Sequence, residues 1–161
     1  MKILIAYFSR TGITKKAVDR MRQILNCDTD EIKCDKNYGG MKGYFAAGTE
    51  VNKKALTEAG SSKDPASYDL VIVAGPVWAW TLSTPVRSYL TKNKEVFKNL
   101  AAFCTMGGNN GKYFEEIEQI CNKKLIARQA FKDKEILAGK ADEQIKSYCA
   151  TILNNINLAS E

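Results

Sequence analysis

Three continuous apolar runs divide the chain, and each of them ends in a loop that contains glycine. They cover residues 3–8, 70–74 and 100–104. Short runs of β-branched and aromatic residues without polar alternation are typical of strands that are buried on both faces of a parallel sheet. Weaker strand patterns occur at about residues 29–34 and 124–131. The pattern therefore predicts five strands.

Amphipathic stretches alternate with these strands. In four of them the apolar side chains recur every three or four residues, which predicts helices with one buried face. Thr84 is predicted to cap the second helix, with Pro85 at its first helical position. Residues 35–68 are the least regular part of the chain, although an apolar stripe there would share one face of a helix. The stripe consists of Tyr44, Ala47, Val51 and Ala55. The apolar side chains of the four amphipathic stretches are, in chain order, Ile13, Ala17, Val18, Met21, Ile24 and Leu25; Val86, Tyr89 and Leu90; Tyr113, Ile117, Ile120 and Cys121; and Ile145, Tyr148, Cys149, Ile152, Leu153 and Ile156.

The alternation of strands and helices predicts a single α/β domain over residues 1–161. Right-handed crossovers favour a flavodoxin-like, doubly wound sheet of five parallel strands in the order 2-1-3-4-5, with helices on both faces. Such sheets bind ligands beyond the carboxyl ends of the strands, at the point where the strand order reverses. In this chain the two loops at that point are residues 9–14 and 75–81.

The composition excludes several kinds of chemistry. The chain contains no histidine, so imidazole cannot serve as a base, a proton shuttle or a metal ligand. Its five cysteines lie far apart without a C-x-x-C motif, so we expect no metal site and no disulfide framework. Lys and Arg exceed Asp and Glu by 24 to 18, but the net charge of +6 is spread along the chain. We therefore expect no nucleic-acid partner.

The lengths of the apolar runs and the spacing of the cysteines predict the cellular compartment of the protein. The run near the N-terminus has six residues, which is shorter than the core of a signal peptide, about 7 to 15 residues. No run approaches the roughly 18 residues that cross a bilayer. Scattered cysteines without paired spacing fit a reducing compartment. We expect a cytoplasmic protein that has no membrane partner.

The first loop, residues 9–14, is a candidate anion site. It joins a buried strand to the N-terminus of a helix, where unpaired backbone N–H groups and the helix dipole favour negative charge. Ser9, Thr11 and Thr14 add hydroxyl donors, and Gly12 allows the backbone to approach a ligand closely. A phosphate monoester is the expected ligand. The alternative is that one of these hydroxyls only caps the helix.

The second and third loops are candidates for contact with a flat ring. Residues 75–81 carry both tryptophans of the chain, Trp78 and Trp80, and aromatic stacking there would favour a heteroaromatic ligand. Residues 105–111 follow a buried strand and supply small residues with backbone amides that would lie under the same ring. The alternatives are that a tryptophan belongs to the core and that the third loop is an ordinary glycine turn. All three loops lie at one edge of the predicted sheet.

Other phosphate-binding fingerprints are missing from the sequence. The chain has no G-x-x-x-x-G-K-[ST] motif, and residues 107–111 lack the G-x-G-x-x-G spacing of dinucleotide-binding folds. A receiver domain of the same topology needs acidic residues at the ends of the first and third strands. This chain has Ser9, Arg10, Gly75 and Pro76 there.

Together these segments resemble the flavodoxin family, in particular its small FMN-binding members. ILIAYFSRTGIT resembles the phosphate loop of the family, VIVAGPVWAWTLSTPVRSYL its second flavin loop with the following helix, and FCTMGGNNG its third flavin loop. The resemblance implies non-covalent FMN at the carboxyl ends of the strands. The implied cofactor-binding residues are Ser9, Arg10, Thr11, Gly12, Ile13 and Thr14 at the phosphate, Pro76, Val77, Trp78, Ala79, Trp80 and Thr81 beside the flavin, and Thr105, Met106, Gly107, Gly108 and Asn109 on the other side of the ring.

The resemblance further implies an FMN-binding oxidoreductase or electron-transfer protein, in which the flavin carries the redox chemistry. The expected partner is a redox protein or a small electron acceptor, with NAD(P)H as a candidate donor. One alternative is an NAD(P)H-dependent reductase of quinones, azo compounds or nitro compounds with the same fold. Another is a non-redox module that binds a different phosphorylated ligand. Electron-carrier flavodoxins are typically acidic, whereas the charge of +6 disfavours docking to a basic partner.

Overall fold

The computed structural model describes residues 1–52, 54 and 56–158, and of Tyr44 and Asn52 it describes the backbone. The predicted apolar stripe falls on a helix, while its last residue, Ala55, lies outside the described residues. No helix within the described ranges is both long and apolar enough to span a bilayer. In chain order the elements are β1 (Ile3–Tyr7), α1 (Ile13–Leu25), β2 (Asp28–Glu31), β3 (Lys33–Cys34), α2 (Gly40–Asn52), β4 (Ala59–Gly60), a 3₁₀ turn (Pro65–Ser67), β5 (Leu70–Trp78), β6 (Thr81–Leu82), α3 (Thr84–Asn93), β7 (Asn99–Met106), α4 (Tyr113–Cys121), β8 (Arg128–Lys132), α5 (Asp133–Leu137) and α6 (Asp142–Leu158).

The central sheet has the doubly wound topology that the sequence predicts. Its parallel strands lie in the order β2-β1-β5-β7-β8, which is 2-1-3-4-5 when these five strands alone are numbered. In the middle of β1, Ile5 lies opposite Thr29 of β2 and Ile72 of β5. The predicted strand order is therefore confirmed. Two short pairings add to it: β6 runs antiparallel to the end of β5, and β3 pairs with β4 in a separate sheet.

Helices cover both faces of the sheet because its central strands are apolar on both sides. Along β1, Leu4 and Ala6 belong to one cluster of buried side chains, whereas Ile3, Ile5 and Tyr7 belong to the other. Helices α2, α3 and α4 contribute to the first cluster, and α1, α5 and α6 contribute to the second. Because β1, β5 and β7 run parallel, their carboxyl ends lie together at one edge of the sheet, where they can form a site.

Two of the weaker strands differ from their predicted bounds. The strand expected at residues 29–34 is interrupted at Ile32, whose N–H still donates to the Tyr7 carbonyl at 2.7 Å before the chain turns away to pair with β4. The strand expected at residues 124–131 becomes regular only at Arg128. Ile126 and Ala127 already exchange single hydrogen bonds with β7, so this stretch approaches the sheet without a continuous ladder.

The start of α3 also differs from the prediction by one residue. Ser83 occupies the cap position in extended geometry, and Thr84 is already helical, so Thr84 is not the cap. Pro85 consequently lies at the second helical position, where its missing N–H has no intrahelical acceptor to lose. The short helix α5, directly after β8, has no counterpart in the sequence prediction.

Two buried tyrosines provide a matched test of how hydrogen bonding stabilises this core. The Tyr148 hydroxyl donates to the Ala102 carbonyl at 2.7 Å, whereas the Tyr113 hydroxyl has no partner among the described residues. We expect Tyr148→Phe to lower the free energy of unfolding by about 1 to 2 kcal/mol, because a buried carbonyl loses its donor. Tyr113→Phe should change it by less than about 0.5 kcal/mol, since no bond is lost. Urea unfolding of both variants measures the difference, and equal losses would contradict this account.

A carboxylate between α1 and α6 should make the stability depend on pH in strong acid. The side chain of Arg20 donates to both oxygens of Asp142, from Nε at 2.5 Å and from Nη2 at 3.0 Å. Hydrogen bonding to Arg20 lowers the pKa of Asp142 to about 2. This interaction therefore stabilises the fold above the ordinary pKa of aspartate and is lost as the pH falls through about 2.

We accordingly expect Asp142→Asn to flatten the acid side of the stability curve. The thermal midpoint of the unchanged chain should fall between pH 4 and pH 2, and that of the variant should fall less steeply over the same range. The adjacent Glu143→Gln serves as the control, because Glu143 is highly exposed and its ion pair is with the exposed Lys146. Parallel curves for Asp142→Asn and the unchanged chain would show that the Arg20 contact does not stabilise the folded state.

Candidate functional site

The loop after β1 forms an open helix N-terminus. Gly12 holds the cap position of α1 with a φ of 86°, in the left-handed region that favours glycine. The Lys15 N–H donates to Ser9 Oγ at 3.2 Å, and the Lys16 N–H donates to the Gly12 carbonyl at 3.1 Å. The N–H groups of the first two helical residues, Ile13 and Thr14, have no acceptor within the helix. They are available to an anion, while Ser9 Oγ accepts one further N–H of the helix and Gly12 holds the cap position.

A buried pair of hydroxyl groups connects the first loop to the third. Thr14 Oγ1 and Thr105 Oγ1 lie 2.8 Å apart in a hydrogen bond, and both side chains are buried at the ends of their elements. The two hydroxyls carry two hydrogens, of which the mutual bond uses one. The other hydrogen remains for an acceptor outside the pair. Thr11, by contrast, is exposed.

The second predicted loop is a β-hairpin. β5 does not end at Gly75 but continues through Pro76 and Val77 to Trp78, and it then pairs with β6 across a two-residue turn. The turn residues, Ala79 and Trp80, have φ values of 45° and 62°. Two successive left-handed residues are the signature of a type I′ turn, which normally uses Asn-Gly. Because neither residue is glycine, the sequence gives no signal of this turn.

The two tryptophans have different environments. Trp78 is buried, and its ring lies 4.9 Å from that of Tyr38 and 5.7 Å from that of Phe8, in edge-to-face contacts. Trp80, at the tip of the hairpin, is 68% exposed. One tryptophan therefore belongs partly to the core, as the sequence suggested. The other presents its ring at the surface.

The third loop contacts the end of β8 and the start of α5. The Lys132 ammonium group donates to the Gly108 carbonyl, and Asn109 Oδ1 accepts from the Gly111 N–H at 3.0 Å. A Cβ at Gly107 would lie 4.0 Å from Asp133 Oδ2, and burial raises the pKa of this carboxyl. Gly107, Gly108 and Asn109 themselves remain exposed at this edge of the sheet.

A cavity of about 420 Å³ lies between the hairpin, the third loop and α2. Its volume is within the range of about 300 to 1,000 Å³ that is usual for small-molecule sites. Most of its lining comes from the three loops predicted from the sequence, and Arg10 supplies the charge. The predicted lining residues are Arg10, Val77, Trp78, Ala79, Trp80, Met106, Gly107, Gly108 and Asn109.

The remaining predicted site residues surround this cavity without lining it. Thr14 and Thr105 form the buried hydroxyl pair, and Thr81 donates to Glu116 of α4. Ser9, Thr11, Gly12 and Ile13 belong to the helix N-terminus beside it, and Pro76 lies within β5.

Helix α2 also contributes to the cavity, which the three predicted loops did not indicate. Ala47 and Gly48 of α2 both line it. A glycine inside a helical pattern usually has a packing or functional reason, and Gly48 was therefore an available signal. Among the described residues no group of three metal-binding side chains occurs.

The fold and the position of the cavity define a doubly wound α/β domain of flavodoxin-like topology, with its site at the switch point of the sheet. The sequence matches a family model described as flavodoxin over residues 2–152. The chain belongs to the flavodoxin family.

Solved structures of similar fold include several flavoproteins. A flavoprotein from Lactobacillus acidophilus NCFM in complex with FMN has 24% identity and a TM-score of 0.70, covering 87% of this chain and 98% of its own. A flavodoxin, WrbA-like protein from Agrobacterium tumefaciens has 12% identity and a TM-score of 0.61, covering 99% and 97%. Oxidised flavodoxin 1 from Bacillus cereus has 12% identity and a TM-score of 0.57, covering 96% and 98%. No match is found among curated protein sequences.

Proposed function

We propose that this chain binds FMN non-covalently and acts as an FMN-dependent oxidoreductase or electron-transfer protein. The observation that carries the proposal is the cavity of about 420 Å³ beside the open N-terminus of α1, with an exposed tryptophan on its rim. Membership of the flavodoxin family and the FMN complex of the Lactobacillus acidophilus flavoprotein support the same cofactor.

The phosphate would lie at the start of α1. The N–H groups of Ile13 and Thr14 are directed toward the N-terminal end of the helix, as in every α-helix, and the helix dipole adds to their attraction for an anion. The hydroxyl pair of Thr14 and Thr105 has one hydrogen to donate there. A dianionic phosphate therefore fits the donor set, which has no carboxylate among its members.

The ring system would lie between the hairpin and the third loop. FMN, when bound, supplies one-electron and two-electron redox chemistry. Trp80 offers an aromatic face on one side, and the backbone amides of Gly107 and Gly108 offer donors on the other. Because the chain has no histidine, these amides and the Arg10 guanidinium are the groups that orient the ring and set the charge around it.

A small-molecule electron acceptor is the second candidate partner beside a redox protein. The exposed ring of Trp80 leaves the cavity mouth accessible to a flat compound such as a quinone, an azo compound or a nitro compound. NAD(P)H would then be the electron donor. A redox protein remains the alternative, and the net charge of +6 favours a partner with an acidic surface.

Purification and rapid kinetics test this proposal. The chain should be yellow with one FMN per polypeptide, or should take up FMN stoichiometrically after reconstitution. A colourless protein that takes up no FMN would overturn the proposal and favour a binding module for another phosphorylated ligand. Stopped-flow reduction by NADPH, with and without a quinone, then distinguishes a small-molecule acceptor from a redox protein as the partner. Rapid flavin reduction followed by quinone-dependent reoxidation indicates a reductase, and absence of reduction by NADPH indicates a protein donor.

A further inference from the structure

We infer that Glu116 of α4 is a positioning residue that holds the hairpin of β5 and β6, with Trp80 in its turn, in place over the cavity. Gly111, which lies two residues before α4 begins, acts together with Glu116. This inference rests on the proposed function, because Trp80 is the aromatic face offered to the flavin. Neither residue lines the cavity. Their action is through the hairpin.

The hairpin needs an external restraint because its turn is unfavourable by itself. Ala79 and Trp80 both have left-handed φ values, of 45° and 62°. A side chain with a Cβ makes this conformation costly, and such residues persist only when the surrounding structure determines them. β6 adds only two residues of pairing to the sheet, so the ladder alone is a weak anchor. The restraint must come from neighbouring elements.

The first contact is at the tip of the turn. The Lys112 N–H donates to the Trp80 carbonyl at 2.8 Å, directly before α4 begins. Gly111 has a φ of 51°, and a Cβ at this position would lie 2.6 Å from both the carbonyl carbon and the Cβ of Trp80. Only glycine leaves room for the turn to lie against the start of α4 in this way.

The second contact is one residue further along the hairpin. The Thr81 hydroxyl donates to Glu116 Oε2, and Arg87 Nε of α3 donates to Glu116 Oε1 at 2.9 Å. One carboxylate of α4 therefore joins β6 and α3. Burial disfavours its charged form, but the bonds from Arg87 and Thr81 outweigh burial and hold the pKa of Glu116 below its usual value. The carboxylate is charged near neutral pH and accepts both bonds.

The ion pair of Arg87 and Glu116 is rigid because both side chains are largely buried. The Arg87 side chain is 4% exposed and that of Glu116 is 13% exposed. The two terminal nitrogens of Arg87 have no partner among the described residues, so Glu116 is the acceptor that fixes the guanidinium. A rigid acceptor next to the turn restricts Thr81, and through it Trp80, to one position.

Fluorine NMR of the full chain tests the inference directly. The chain has two tryptophans, so 5-fluorotryptophan labelling gives two signals, and Trp78→Phe assigns them. In the FMN-free chain, Thr81→Val and Glu116→Gln should each move the Trp80 signal toward the value of free 5-fluorotryptophan and narrow it. The Trp78 signal should stay in place. Gly111→Ala should move the Trp80 signal as well, because its methyl group displaces the turn.

The matched control is Glu115→Gln. Glu115 is the neighbouring residue on α4, and its carboxylate is exposed and paired with Arg128 rather than with the hairpin. This variant should leave both fluorine signals unchanged. If Glu116→Gln fails to fold, Thr81→Val carries the test, since it removes one hydroxyl from a partly exposed site. An unchanged Trp80 signal in folded Thr81→Val protein would overturn the inference.

A second readout uses the flavin. Because the hairpin would contact the ring and not the phosphate, Thr81→Val should weaken the binding of FMN and of riboflavin by the same factor. A loss confined to FMN would contradict the assigned role of Glu116. Failure of the unchanged chain to bind either flavin would overturn the proposed function instead, and the fluorine result in the FMN-free chain would still decide the positioning role.

Discussion

Glu116→Leu is expected to lower the free energy of unfolding by about 3 to 5 kcal/mol, the usual cost of breaking a buried ion pair by removing one partner. The variant leaves the Arg87 guanidinium without the acceptor that Nε uses at 2.9 Å. Arginine cannot become neutral in a protein, so the charge stays buried and uncompensated. Urea unfolding of the FMN-free chain measures the loss.

A double variant separates the charge effect from the lost packing. Arg87→Met combined with Glu116→Leu replaces both partners by apolar groups, and it should recover most of the stability that Glu116→Leu loses. The exposed pair of Glu115 and Arg128 on the same helix is the control, because its side chains are 53% and 56% exposed. Glu115→Leu should cost no more than about 1 kcal/mol. If Glu116→Leu and Glu115→Leu lower the free energy of unfolding by the same amount, burial does not make the pair of Arg87 and Glu116 more important to stability than an exposed pair.

The pH dependence of the same pair has a definite sign. The pKa of Glu116 in the folded chain lies below its usual value, so its contribution is present above the ordinary pKa of glutamate. The contribution disappears as the pH falls through the lower, folded value. The unchanged chain should therefore lose stability in acid more steeply than the double variant, which has no carboxylate at this position.

Thr14→Val is expected to weaken FMN binding at least tenfold, if the phosphate lies at the start of α1. A hydrogen bond to a charged group contributes about 1.5 to 3 kcal/mol, and about 1.4 kcal/mol corresponds to one decade in affinity. Valine keeps the shape of the side chain and removes the hydroxyl that now bonds Thr105 Oγ1 at 2.8 Å. Thr14 is the second residue of α1, so the variant removes the hydroxyl nearest the helix N-terminus and leaves that of Thr105 without its partner.

Comparison of two ligands isolates the phosphate in this experiment. Riboflavin lacks the phosphate, so its affinity for Thr14→Val should fall much less than that of FMN. Thr105→Val should show the same preference, because the two hydroxyls act as one pair. Equal losses for FMN and riboflavin would mean that Thr14 acts through the start of the helix or through the packing of the pair, and phosphate binding would then depend on backbone N–H groups.

The pattern of apolar runs and amphipathic stretches is enough to predict the architecture and the sheet edge that carries the site. Apolar runs such as residues 70–74 require burial on both faces, and alternation with amphipathic helices then leaves few topologies. The carboxyl ends of β1, β5 and β7 meet at one edge in any such sheet. Nine of the residues chosen from the three loops line the cavity for this reason.

The atoms that meet at that edge come from segments that are distant in the chain. Thr14 and Thr105 are 91 residues apart, and Arg87 and Glu116 are 29 apart, so no local periodicity links them. The extension of β5 into a hairpin was also hidden, because Ala79 and Trp80 carry no turn signal and are held in left-handed geometry by α4. Local patterns report burial and backbone preference, whereas these contacts depend on how separate elements pack, and packing overrides the preference of Ala79 and Trp80 for a different conformation.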